Sequence, residues 1–84
     1  MRFTEAVEAY RRSSQLTDDT VALADLKLKR AVVRMRLGSF SQALRDVSAG
    51  QRLLEGVNSV EASRVRAQLL AHGAQVRMAQ EQDR

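Results

Sequence analysis

The spacing of apolar and polar residues along the chain predicts four α-helices. In each of them, apolar side chains recur three, four and seven positions apart, which places them on one face of a helix. The Thr and Asp side chains of residues 17–20 can cap a following helix, so a break is predicted there. Gly38 and Gly56 are predicted to end the second and third helices. The predicted helices cover residues 3–16, 21–37, 40–54 and 59–74, and residues 75–84 form a short helix or a frayed tail.

Two of the predicted helices are apolar on two faces. In helix 21–37 the first face holds Ala24, Leu28, Ala31, Val32 and Met35, and the second holds Leu23, Leu26, Val33 and Leu37. In the last helix the two faces are Ala62, Val65, Leu69 and Val76, and Val60, Ala67, Leu70, Ala71 and Ala74. Helices of this kind are expected to pack against neighbours on both sides. Gly73 either ends the last helix or lies inside a longer one.

A spaced pattern recurs along the chain. Phe3-Thr4-Glu5-Ala6-Val7 and Phe40-Ser41-Gln42-Ala43-Leu44 share an aromatic residue followed at fixed distance by Ala and an aliphatic residue, and Val76-Arg77-Met78-Ala79 is a weaker copy. The starting positions 3, 40 and 76 are 37 and 36 residues apart. A period in this range is typical of stacked helical repeats, which bind other molecules more often than they catalyse reactions.

Small and aromatic residues around the turn between the second and third predicted helices resemble the tetratricopeptide repeat. These residues are Ala31, Gly38, Phe40, Ala43 and Gly50, with partial sets at Phe3, Ala6, Tyr10 and Ser13 and at Ala67, Ala74, Val76 and Ala79. The resemblance implies a single all-α domain over residues 1–84, with antiparallel helix hairpins stacked as a short right-handed α-solenoid. It also implies a piece of a longer array, similar to the repeat regions of large regulatory signalling proteins.

In that family the first helix of each pair lines a concave groove. The resemblance therefore implies a partner-binding groove formed by Asp25, Lys29, Val32, Arg36, Glu61, Arg64, Gln68 and His72. Both halves of this set mix charges, so we expect an extended or helical peptide of mixed charge. The family's clamp for C-terminal carboxylates has Lys where this chain has Asp25 and Glu61, so that specificity is not expected here.

Composition limits the metal-binding and catalytic chemistry that the protein could perform. The chain has no Cys and a single histidine, His72, which excludes zinc–cysteine frameworks and leaves no second histidine for a metal site. His72 is expected to be solvated or to line the groove. No Ser, His and carboxylate constellation and no phosphate-binding loop is evident, so we expect a non-enzymatic protein without cofactors. No apolar run reaches membrane-spanning length and no signal peptide is evident, which leaves a cytoplasmic location as the default expectation.

A basic stretch of the sequence raises the alternative of binding to nucleic acid or to an anionic surface. Residues 27–36 hold five cations and no acid, and the net charge of the chain is +4. On a helical wheel the cations split into two edges, with Lys27, Arg30 and Arg34 on one and Lys29 and Arg36 on the other, whereas a nucleic-acid site favours one continuous face.

Three functions follow in order of preference. The first is a protein–protein interaction scaffold. The second is a binder of nucleic acid or an anionic surface through residues 27–36 with Arg45 and Arg52, and the third is a purely structural solenoid segment. Uncapped apolar ends, at Phe3, Val7 and Tyr10 and on the last helix, predict self-association.

Overall fold

The chain folds into three α-helices. The computed structural model describes the backbone of residues 2–82 and the side chains of residues 18–82. The helices are α1 (Arg2–Arg36), α2 (Phe40–Leu53) and α3 (Val60–Gln82), and the described residues contain no strand. The all-helical class is confirmed, with three helices where four were predicted. The molecule is elongated, with extents of 64 × 17 × 14 Å.

Neighbouring helices in the chain run antiparallel. Arg30 and Arg34 near the end of α1 reach Asp46 in α2, while the carbonyl of Ala24 lies against Gly50 further along α2. Gly50 and Val47 of α2 in turn face Leu69 and Gly73 of α3. The chain reverses direction at each of the two turns that flank α2. As a result, α1 and α3 lie side by side and run in the same direction.

The predicted break at residues 17–20 is wrong, because α1 is continuous from Arg2 to Arg36. The segment Thr17-Asp18-Asp19-Thr20 contains neither Gly nor Pro. Thr and Asp cost a helix interior only about 0.5–0.7 kcal/mol each relative to Ala. Good capping residues therefore permit a helix start without enforcing one, and the predicted helices 3–16 and 21–37 are one element.

Of the two possibilities stated for Gly73, the structure has the longer helix, so the last helix extends beyond the predicted bound at residue 74. α3 continues through Gly73 to Gln82, so Ala74 and Val76 lie inside a helix and not at a second inter-helix turn. A Cβ built on Gly73 would lie 3.2 Å from Cγ1 of Val47. Gly73 therefore serves close packing between α2 and α3 rather than helix termination.

The two predicted glycine stops are confirmed. Gly38 has a φ of 81° and Gly56 has a φ of 77°. Residues that carry a Cβ rarely adopt this backbone conformation. At the first turn, the amide of Ser39 donates to the carbonyl of Arg34 at 2.8 Å and the amide of Gly38 donates to that of Met35 at 3.0 Å. This pair of bonds is a Schellman motif, which satisfies carbonyls left open at the end of α1.

A side-chain cap is present at the start of α3 but not at the start of α2. Ser39 precedes α2 but its side chain makes no capping hydrogen bond. α3 is capped by Ser59, whose Oγ accepts the amide of Ala62 at 3.0 Å. This hydrogen bond satisfies one of the amides left open at the start of α3.

The core is small and aliphatic. Among the described side chains, it consists of nine buried apolar residues: Ala24, Ala31, Ala43, Val47, Leu54, Ala62, Val65, Leu69 and Val76. Four of them are alanines, and a Cβ on Gly50 would lie 3.0 Å from both Cδ atoms of Leu69. Small residues therefore set the distance between the helices.

Within residues 18–82, where side chains are described, only one apolar face of α1 and one of α3 are buried. Leu23, Leu26, Val33 and Leu37 are 45%, 59%, 55% and 75% exposed, so the expectation of packing on both sides is wrong for α1. The second face of α3 is exposed as well, at Val60, Ala67, Leu70, Ala71 and Ala74. The side chains of Phe3, Val7 and Tyr10 lie outside the described residues.

Replacing Ala43 with Leu is expected to destabilise the protein by about 1–3 kcal/mol, because Ala43 is fully buried and a larger side chain would overpack its contacts. Chemical denaturation monitored by circular dichroism measures this free energy. Ala67→Leu is the matched control, since Ala67 is exposed on α3 and should change stability by about 0.5 kcal/mol or less. An unchanged midpoint for Ala43→Leu would contradict the tight approach of α2.

Candidate partner-binding groove

A shallow concavity of about 260 Å³ lies between α1 and α3. Its lining comes from about two turns of α1 and the first turns of α3: Asp18, Val21, Ala22, Asp25, Glu61, Arg64 and Val65. Val65 is fully buried, while Asp18, Glu61 and Arg64 are exposed. We call this surface the α1–α3 groove. It offers a small apolar floor with charged walls, which suits a peptide side chain better than a drug-sized ligand.

Ion pairs arrange the charged walls of the α1–α3 groove. Nζ of Lys29 lies 3.2 Å from Oδ2 of Asp25, and Nη2 of Arg64 lies 2.9 Å from Oε2 of Glu61. Lys29, Glu61 and Arg64 have side chains more than half exposed, so pairs of this kind contribute little to stability, typically about 0.2–1 kcal/mol. Their charges remain available to a partner.

The structure brings together three of the eight predicted groove residues. Asp25, Glu61 and Arg64 line the concavity, and Lys29 adjoins it through its ion pair with Asp25. Val32 is half-buried and Arg36 and Gln68 are exposed, but none of these three lines it. The predicted surface is thus longer than the concavity that the helices form.

His72 is buried and not solvated or groove-lining, so that expectation is wrong. It is 8% exposed, and its Nε2 has no hydrogen-bond partner among the described residues. On a wheel of about 100° per residue, His72 lies only about 20° from the direction of Val65. The part of the predicted groove surface at His72 therefore turns towards the core.

Asp46 is a buried charged residue that the sequence pattern did not single out. Its side chain is 3% exposed and receives three hydrogen bonds. Nε and Nη2 of Arg30 donate to its Oδ1 at 3.0 and 2.7 Å, and Nη1 of Arg34 donates to its Oδ2 at 3.0 Å. The hydrogen bond to Asp46, followed by the carboxylate charge, raises the pKa of Arg30. We read this cluster as a structural connection between α1 and α2.

A second arginine supports the connection between α2 and α3. Nη2 of Arg66 donates to the carbonyl oxygens of Leu54 at 2.8 Å and Val57 at 2.9 Å. Leu54 is the C-cap residue of α2, and Val57 lies in the linker between α2 and α3. Arg66 therefore connects α3 to this linker, and it does not line the α1–α3 groove.

The cations of residues 27–36 are divided by the fold. Arg30 and Arg34 point to Asp46, and Lys29 pairs with Asp25. Arg45 and Arg52 line a separate depression on the outer face of α2, with Ser41, Leu44, Ser48 and Ala49 and no residue of α1. The structure does not assemble these seven cations into one continuous basic surface.

The described helices include none with the length and apolar character needed to cross a bilayer. Comparisons of the chain with family models, with curated proteins and with solved structures gave no match.

Proposed function

We propose that the protein is a non-enzymatic protein–protein interaction module of tetratricopeptide type that binds a peptide of mixed charge in the α1–α3 groove. The observation that carries this proposal is the groove itself, where Asp25, Glu61 and Arg64 converge over buried Val65. Two side-by-side helices with a shallow charged cleft between them fit an extended or helical peptide. As a repeat unit, the module would belong to a larger regulatory protein.

The placement of small residues supports the repeat assignment for the central hairpin. Ala31, Ala43 and Gly50 are buried, and Gly38 adopts the positive φ that the inter-helix turn requires. These are the positions at which the repeat resemblance implies small residues. The continuous helix through Ala74 and Val76 limits this support to the central pair of helices.

Charge defines the chemistry of the proposed peptide. The lining of the α1–α3 groove holds the carboxylates of Asp18, Asp25 and Glu61 and the guanidinium of Arg64. A partner with a Lys or Arg beside Asp18 and Asp25 and a carboxylate near Arg64 would complement both signs. Such complementarity contributes to specificity and association rate more than to affinity.

Arg64→Glu and Lys29→Glu are expected to weaken peptide binding without unfolding the protein. Both side chains are exposed, so the free energy of unfolding should change by about 0.5 kcal/mol or less. The probe is a set of peptides selected on the wild-type protein from a random displayed library, with affinity measured by fluorescence anisotropy. We expect each reversal to lower affinity roughly tenfold, a change of about 1.4 kcal/mol.

Arg77→Glu is the control for this experiment, because Arg77 is exposed on α3 outside the groove. It makes the same charge change and should leave affinity unaltered. Equal losses from Arg64→Glu and Arg77→Glu would indicate binding through net charge alone. A large loss of helicity in Arg64→Glu would place that residue in the core and contradict the groove.

Salt dependence separates the proposed function from nucleic-acid binding. A protein that neutralises phosphates loses affinity steeply as salt rises. Two observations argue against nucleic-acid binding: Lys29, Arg30 and Arg34 form ion pairs, and Arg45 and Arg52 lie on a separate surface.

Self-association is also part of the proposal. Its surface is the exposed face of α3 at Val60, Leu70 and Met78. A purely structural segment would show neither kind of binding.

A further inference from the structure

The exposed apolar face of α1 follows a coiled-coil spacing. Leu23, Leu26, Val33 and Leu37, with Arg30 in the middle, are separated by alternating steps of three and four residues. This is the spacing of the a and d positions of a heptad, at which one helix packs along another. From residue 23 to residue 37 the face is about 21 Å long, or roughly four turns. We call it the outer face of α1.

The outer face of α1 includes a mostly apolar depression of about 350 Å³ lined by Leu23, Leu26, Lys27 and Arg30. The aliphatic stems of Lys27 and Arg30 can extend its apolar surface while their charges stay in water. A depression between leucines suits an apolar side chain from a partner helix. None of its lining residues belongs to the α1–α3 groove, so this surface is independent of the proposed function.

Cations border the outer face of α1 on both sides. Lys27 and Arg34 lie along one edge and Lys29 and Arg36 along the other on a helical wheel, while Arg30 lies within the face. Asp46 and Asp25 are the two carboxylates paired with these five cations, so three positive charges remain in excess. Among the described residues, Lys27 and Arg36 form no salt bridge.

This charge pattern disfavours a second copy of the chain as the occupant. Two antiparallel outer faces would place Arg30 opposite Arg30 and Leu23 opposite Leu37. Two parallel ones would align each basic edge with another basic edge. Like charges beside a coiled-coil seam act against pairing, while opposite charges select a partner.

We propose that the outer face of α1 docks an amphipathic helix from another protein, with an apolar heptad seam flanked by Glu or Asp. Its apolar side chains pack between Leu23, Leu26, Val33 and Leu37. Its carboxylates face Lys27 and Arg36, the two cations of this face that form no salt bridge among the described residues. Apolar contacts supply the affinity, and the acidic flanks select this helix over neutral or basic ones.

The test uses two synthetic helices of about three heptads each, with identical leucine seams and either Glu or Lys at the flanking positions. Like charges keep each peptide from pairing with itself at neutral pH. Fluorescence anisotropy measures binding of each labelled peptide to the 84-residue protein. We expect the Glu peptide to bind at least about tenfold more tightly than the Lys peptide.

Two variants locate the binding on the outer face of α1. Leu26→Glu is expected to lower the affinity for the Glu peptide at least about tenfold, because it adds a carboxylate within the apolar seam. Gln42→Glu is the control, because Gln42 is exposed on α2, away from the outer face of α1 and from the exposed face of α3, and the substitution adds the same charge. It should leave binding of the Glu peptide unchanged. Lys27→Glu gives a second measurement that leaves the Leu and Val side chains of the seam unchanged, and it should reduce the preference for the Glu peptide over the Lys peptide.

Three outcomes would overturn the proposal. Equal affinity for the two peptides would show that acidic flanks do not select the partner helix. Binding of the Glu peptide that Leu26→Glu leaves unchanged would indicate attraction of any polyanion, nucleic acid included, to the cations alone. Sedimentation that shows a dimer dissociated by Leu26→Glu, but not by Leu70→Glu, would make a second copy of the chain the occupant.

Discussion

Replacing Leu69 with Ala is expected to destabilise the protein by about 2–5 kcal/mol, the usual cost of removing a buried leucine side chain. Leu69 is fully buried, and its two Cδ atoms lie against the backbone of Gly50. A domain of this size has a total stability of roughly 4–13 kcal/mol. The variant should therefore lose a large part of its stability, measured by urea denaturation.

The adjacent residue supplies the control. Leu70 is 60% exposed, so Leu70→Ala should change stability by about 0.5 kcal/mol or less. Gly50→Ala tests the contact from the other side, because its methyl group would crowd Leu69 in the wild type but enter the cavity left by Leu69→Ala. The two substitutions should show a coupling of about 0.5–3 kcal/mol. Equal effects at Leu69 and Leu70 would contradict the packing of α3.

Asp46→Ala is expected to cost about 1.5–3 kcal/mol, the range for hydrogen bonds to charged groups. Asp46 is buried and receives hydrogen bonds from both Arg30 and Arg34. Without it these guanidinium groups turn to solvent, since their side chains are 49% and 31% exposed. The loss should therefore remain below that of a fully buried, unpaired charge. Thermal unfolding followed by circular dichroism measures it.

Asp25→Ala is the matched control for Asp46→Ala. It removes another aspartate that pairs with a cation of α1, but its partner Lys29 has a side chain 71% exposed. A pair of that kind contributes about 0.2–1 kcal/mol. If the two substitutions cost the same, Asp46 would not connect α1 to α2 in solution.

Local sequence signals were sufficient for the middle of the chain. The predicted helix over residues 40–54 agrees with α2 at Phe40–Leu53, and Gly38 and Gly56 stand at its two ends with positive φ. Here each signal has one physical solution, because a left-handed residue ends a helix and its apolar face points to the core. The buried residues Ala43, Val47 and Leu54 are four and seven positions apart, which is the spacing of one helix face.

Helix continuity could not be decided from such signals. The Thr and Asp residues at 17–20 suit both a helix start and a helix interior, and Gly73 suits both an end and a close contact with Val47. The difference between these states is about 1 kcal/mol per residue or less, so packing elsewhere decides between them. Propensity without tertiary contacts gives no answer at these positions.

Periodicity also identifies apolar faces without telling which of them is covered. Both faces of helix 21–37 are apolar, yet Ala31 is buried and Leu26 is exposed. For the site, Asp25, Glu61 and Arg64 of the predicted groove line one concavity, while His72 is buried. Asp46 could have been found, because it is an acid on the buried face of α2 and Arg30 and Arg34 share one edge of α1.

The Schellman turn at Gly38 has a consequence for the rate of folding. Residues 37–39 join α1 to α2, so the first contacts between these helices close a very short loop and cost little chain entropy. Later contacts, such as Arg30 with Asp46 and Ala24 with Gly50, follow as the hairpin zips away from the turn. Helical proteins with contacts this local fold in microseconds to milliseconds. We therefore expect the α1–α2 hairpin to form first and α3 to dock onto a surface that is already in place.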